Sequence, residues 1–118
     1  WGRAVEASRE VESAAAWLHG DLLTENLLVD GSGGLAAVLD SGGLAIGDPT
    51  VDLVVAWEAL DVGGRRVFRR ELGVDDAAWT VSRGWALLIA MMTFPYYGRS
   101  MPGRCADRMV MARAALIG

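Results

Sequence analysis

His19-Gly-Asp21-Leu-Leu-Thr-Glu-Asn26 and, after two short apolar runs, Asp40-Ser-Gly42 form the stretch on which the fold turns. Asn26-Leu-Leu-Val29 and Leu35-Ala-Ala-Val-Leu39 read as two strands, and Asp30-Gly-Ser-Gly-Gly34 between them reads as the turn of a hairpin. A hairpin returns the chain to where it started. Asp21 and Asn26 lie on a loop at one end, and Asp40, fourteen residues beyond Asn26, comes back towards the same end. Three oxygen-bearing side chains thus converge at one mouth of a small sheet. Taken singly, each is an ordinary turn residue. Their joint spacing sets them apart.

That convergence suits phosphoryl transfer, in which a protein mainly positions groups and stabilises charge. A carboxylate is needed to orient the acceptor hydroxyl and take its proton. Oxygen ligands are needed for magnesium, a hard ion that keeps waters and substrate phosphates in its shell. A competing motif, Gly31-Ser-Gly33-Gly-Leu-Ala36, nearly fits a dinucleotide-binding loop. That loop must open a helix, and only Leu35 to Asp40 follow before Ser41-Gly42-Gly43, so a hairpin turn is the better reading.

His-x-Asp with Asn five residues later, then Asp-x-Gly after a hairpin, resembles the catalytic and metal-binding loops of protein-kinase-like enzymes. Gly20 after the His, Gly47-Asp48-Pro49-Thr-Val-Asp52-Leu53, and Arg83-Gly84-Trp85-Ala86-Leu87 with Pro95-Tyr96-Tyr97 are similar to the aminoglycoside phosphotransferase family. The resemblance implies an α+β, mainly α fold. Residues 1–118 would be the kinase-like C-terminal, catalytic lobe, with a small β-hairpin carrying the catalytic and metal-binding loops. It further implies ATP and Mg as cofactors and a small hydroxylated molecule, aminoglycoside-like, as acceptor. Asp21 would be the catalytic base, and Asn26 and Asp40 would bind the metal. His19 would brace the loop, and Asp52 would anchor it through backbone hydrogen bonds. Glu58 and Asp61 are weaker candidates for an acidic substrate pocket, with a solvent-facing role as the alternative. Leu23-Thr24 stands where many relatives have His-Pro, and Ser41 replaces an aromatic residue.

The composition sets limits. With 118 residues, 53% of them hydrophobic, the chain has material for one core. All eleven basic residues are Arg, so a phosphate-binding loop ending in Lys is excluded, as is the phosphate-clamping Lys of a kinase-like N-terminal lobe. That nucleotide-binding lobe is expected outside this sequence, which starts at Trp1 and reads as a piece of a longer chain. On that reading the chain alone is either part of an active enzyme or a catalytically silent module, with self-association an expected consequence of uncovered apolar surface. One His and one Cys are too few for a structural zinc site. The lone Cys105 cannot form an internal disulfide, which fits a reducing cytoplasm.

Residues 1–62 carry eleven acids and two Arg, while residues 63–118 carry nine Arg and four acids. The acidic half favours divalent cations or cationic substrates over nucleic acid, unless the halves simply neutralise each other across one fold. Arg65, Arg66, Arg69 and Arg70 read as a solvated helix face rather than a nucleic-acid patch. The apolar run Trp85 to Phe94 is about half the ~20 residues a membrane span needs.

Periodicity predicts a helix over 4–17, with Glu6, Arg9, Glu10 and Glu12 outward. A second starts at Asp48-Pro49 and breaks at Gly63-Gly64. A basic helix follows, then a long one over 76–94 ending near Pro95, and a last one over 104–117. Trp57, Trp79, Trp85, Met91 and Met92 are expected in the core.

Overall fold

The computed structural model describes residues 1–11 and 14–118, so Glu12 lies outside the described residues. The architecture is mainly helical with two small antiparallel sheets. Strand β1 (Ala16–Leu18) pairs with β4 (Ala45–Gly47), and β2 (Leu27–Val29) with β3 (Leu35–Val38). Helices α1 (Gly2–Ala7), α2 (Val55–Ala59), α3 (Val62–Glu71), α4 (Asp76–Tyr97) and α5 (Pro102–Ile117) complete it. Three 3₁₀ segments, Thr24–Asn26, Ser41–Gly43 and Pro49–Val54, join the strands to each other and to α2. Among the described residues no helix is long and apolar enough to cross a membrane.

The expected hairpin forms. Leu27 faces Val38 and Leu28 faces Ala37, with a bulge between Leu28 and Val29. Its turn is closed by Asp30, whose Oδ1 accepts the N–H groups of Ser32 and Gly34 at 2.8 and 2.9 Å. Three accepted hydrogen bonds, that of the Ser32 hydroxyl foremost, hold the Asp30 carboxyl below its ordinary pKa.

The second sheet departs from the expected helix over 4–17. That helix stops at Ala7, and Ala16–Leu18 is extended because its backbone finds a ladder partner in Ala45–Gly47. Tertiary pairing outweighs helix propensity there. The nesting matters more than the strands themselves. Leu18 lies opposite Ala45 and Leu27 opposite Val38, so segments 19–26 and 39–44 are clamped between the same two ladders.

Other boundaries shift for local reasons. The turn after α2 falls at Leu60, and Asp61 caps α3 through Gly64 N–H at 2.7 Å, which places Gly63 and Gly64 inside the next helix. Gly73, at φ +63°, ends α3, and Asp75 caps α4 through the Ala78 N–H. Helix α4 runs through Pro95 to Tyr97. Pro95 lies on an exposed face, where water can take the carbonyl its missing N–H leaves free.

The core gathers Leu23, Val54, Trp57, Ala86, Ala90, Met111 and Ala115, with Trp79 and Trp85 packed against it. The buried Trp57 indole donates to Ser82 Oγ at 2.9 Å. Met91 and Met92 are instead exposed, outside the core that α4 and α5 share through Ala86, Ala90, Met111 and Ala115. Arg65 is buried rather than solvated, with its guanidinium over the Trp57 ring and bonded to the Leu60 carbonyl.

Candidate active site

Two segments build the site, 19–26 and 39–44, and each is pinned from several directions. The 3₁₀ segment after Asp48 projects Asp52 at the start of the first. Its Oδ2 accepts the N–H of His19 at 2.6 Å and its Oδ1 the N–H of Gly20 at 2.9 Å. Both oxygens of one carboxylate are therefore spent on consecutive backbone amides.

Gly20 has φ +83°, and a Cβ placed there would lie 2.4 Å from the Gly43 carbonyl oxygen. Only glycine satisfies both the left-handed backbone and this close approach to the opposing segment. Further along, the Leu23 side chain drops into the core and Glu58 Oε2 accepts the Thr24 N–H at 2.8 Å.

His19 ties the two segments together. Its Nδ1 accepts the Asp21 N–H at 3.3 Å, so its Nε2 is the nitrogen that donates to the Leu39 carbonyl at 2.8 Å. The ring is held in one neutral tautomer with a partner on each side. It braces the loop and has no free nitrogen for chemistry.

Asn26, itself buried, makes the central link. Its Nδ2 donates to the Asp21 carbonyl at 2.9 Å and to Asp21 Oδ2 at 3.1 Å. Its own carbonyl accepts the Leu39 N–H at 2.7 Å, one residue before Asp40. Asp21, Asn26 and Asp40 are thus at the same end of the β2–β3 hairpin, joined by a short chain of hydrogen bonds. With its amide nitrogen committed to Asp21, Asn26 keeps its amide oxygen for other partners. Asp40 adopts the left-handed conformation, φ 58° and ψ 72°, the only non-glycine residue with positive φ among those described. Its Oδ1 accepts the Gly42 N–H at 3.3 Å, and its carboxylate is exposed. An Asn amide oxygen and an exposed Asp carboxylate are the hard donors that suit magnesium. No group of three or more His, Cys, Asp or Glu among the described residues is placed to hold a metal ion.

Beside Asp21 opens a cleft of about 430 Å³ between the 19–26 segment, the end of α4 and the start of α5. Glu58 and Asp61 are not among its lining residues. Glu58 is buried in an ion pair with Arg108, and Asp61 serves as the cap of α3. The sequence reading missed Arg104 and Arg108, which both reach Glu25 at the rim of the cleft. Their four-residue spacing puts them on one face of α5, a signal present in the sequence, but their partner lies 83 residues away from Arg108.

No curated protein and no solved structure is similar enough to the chain to count as a match. A family model described as the phosphotransferase enzyme family matches residues 2–86, from α1 into α4 and across every residue of the hydrogen-bonded centre. The chain belongs to the phosphotransferase enzyme family.

Proposed function

We propose that this chain carries the catalytic and metal-binding loops of a kinase-like lobe that transfers the γ-phosphate of ATP to a hydroxyl of a small molecule. The observation that carries this reading is the link from Asp21 through Asn26 to Leu39 and Asp40. Asp21 lines the cleft and orients the acceptor hydroxyl. As the acceptor oxygen bonds to phosphorus and the bond from phosphorus to the ADP oxygen breaks, the hydroxyl proton passes to the Asp21 carboxylate. Asn26 holds that carboxylate through Oδ2, which leaves Oδ1 for the substrate. Asn26 and Asp40 would hold magnesium, which supplies charge neutralisation at the phosphates when bound. His19 and Asp52 fix the loop so that little reorganisation remains at the moment of transfer.

Turnover of ATP should be measured with magnesium and a panel of hydroxylated acceptors, for wild type and Asp21→Ala. A drop of about 10²-fold or more in the variant supports the role of Asp21. Undiminished turnover would remove Asp21 from the mechanism.

An aminoglycoside-like acceptor follows from the family resemblance alone. A second reading, a folded module that self-associates without turnover, is favoured by the exposed Trp17, Leu35 and Ile46 on the two sheets. A monomer at all concentrations in size-exclusion chromatography would count against that reading.

A further inference from the structure

An acceptor hydroxyl that reaches Asp21 must lie in the adjoining cleft, whose charged lining is Asp21, Glu25, Arg104 and Arg108. Three of these are already spent on one another. Glu25 Oε1 takes Arg108 Nη2 at 2.6 Å and Arg104 Nε at 3.7 Å. Arg108 pairs in turn with Glu58, and both side chains are only 3% exposed. These two acids and two Arg cancel, which leaves Asp21 as the one lining carboxylate without an Arg partner among the described residues. A polycationic amino sugar would bring several ammonium groups to a cleft with one free negative charge. Each ammonium beyond the one that meets Asp21 would find no free carboxylate among the lining residues.

What the cleft does offer is flat, soft surface. Tyr96 is 80% exposed and Met92 59% exposed, both on the α4 wall. The neighbouring Tyr97 ring is already covered by the Arg104 guanidinium, 4.9 Å from its centroid. Tyr96 has only the tilted Tyr97 ring beside it, at 6.3 Å, and most of its surface remains open to stack.

We propose that the acceptor is an uncharged hydroxyl compound with an aromatic or flat apolar portion that lies on Tyr96 and Met92, and not a polycationic amino sugar. The proposal rests on the reading of Asp21 as the group that receives the hydroxyl proton.

Binding of three probes to the chain tests it, by saturation-transfer NMR and calorimetry: phenyl β-D-glucopyranoside, methyl β-D-glucopyranoside and kanamycin. The phenyl glucoside should bind about two- to tenfold tighter than the methyl glucoside, and Tyr96→Ala should erase that difference. Kanamycin should bind more weakly than the phenyl glucoside in wild type. It should gain in Arg104→Gln, which frees part of the Glu25 charge. Kanamycin binding tighter than the phenyl glucoside, or a phenyl preference that survives Tyr96→Ala, overturns the proposal. Phosphoryl transfer to the same probes separates the two levels. Asp21-dependent transfer to kanamycin alone would sink the acceptor class and keep the phosphotransferase reading. A Tyr96-dependent phenyl preference with no Asp21-dependent transfer would keep the selectivity of the cleft and count against phosphotransfer.

Discussion

The carboxylate of Asp52 accepts the backbone N–H of His19 at 2.6 Å across 33 residues of sequence, and through its other oxygen holds Gly20 as well. One side chain thereby sets the entry of the loop that carries Asp21 and Asn26. Hydrogen bonds to a charged acceptor contribute about 1.5–3 kcal/mol each, and buried donors left unpaired add their desolvation penalty. Asp52→Ala should lower stability by about 2 kcal/mol or more in chemical denaturation. Asp52→Asn, which keeps one acceptor, should lose less.

Gly20 and Gly31 offer a matched pair of substitutions. A Cβ at Gly20 meets the Gly43 carbonyl and sits on a positive-φ backbone, whereas one at Gly31 meets nothing within 4 Å. Gly20→Ala should cost about 2 kcal/mol or more, since left-handed strain alone is about 1–2 kcal/mol and the backbone contact adds to it. Gly31→Ala should be close to neutral. Thermal unfolding of the two variants side by side measures the contrast.

Arg108 and Glu58 form a buried ion pair that also reaches the 19–26 segment, because Glu58 holds Thr24 and Arg108 holds Glu25. Removing one partner strands a charge in the interior, at a cost of about 3–5 kcal/mol. Arg108→Met should therefore be severe. The double variant Arg108→Met with Glu58→Leu should recover part of the loss. A double-mutant cycle by urea denaturation reads the coupling, and additive losses would contradict the pairing.

The Asp30 turn gives a pH dependence with a defined sign. Its carboxyl is lowered in the fold, by the Ser32 hydroxyl first and the Gly34 and Ser32 amides next. The folded hairpin therefore binds that proton less readily than the unfolded chain. Its contribution is present above the ordinary carboxylate pKa of about 3.9 and is lost as pH falls through the lower folded value. Amide shifts of Ser32 and Gly34 followed by NMR should titrate below the ordinary Asp range. In Asp30→Ala the acid-induced change at Gly34 should vanish.

Much of the local framework was legible because its signals lie close together in sequence. Asp30-Gly-Ser-Gly-Gly34 specifies its turn through side-chain and backbone bonds within five residues, and Asp48-Pro49 marks the start of the helical segment that follows, whereas the cap at Asp61 was read as a pocket or solvent-facing acid. The β1–β4 ladder was not legible. Ala16-Trp-Leu18 and Ala45-Ile-Gly47 are too short for a period-2 pattern, and their pairing spans the whole hairpin between them. The Glu25, Glu58 and Arg108 network was hidden for the same reason, since charge pairing across 83 residues leaves no local trace. Met91 and Met92 misled because a helix rich in apolar residues on every side does not disclose which side its neighbour takes.

The central claim is that Asn26 and Asp40 hold one divalent ion beside Asp21, and Mn²⁺ with ATP in place of magnesium tests it most directly. Paramagnetic broadening of amide resonances should concentrate on residues 20–27 and 39–43 and should disappear in Asp40→Ala while the rest of the spectrum is retained. Broadening centred elsewhere on the molecule, or unchanged in Asp40→Ala, would contradict the account.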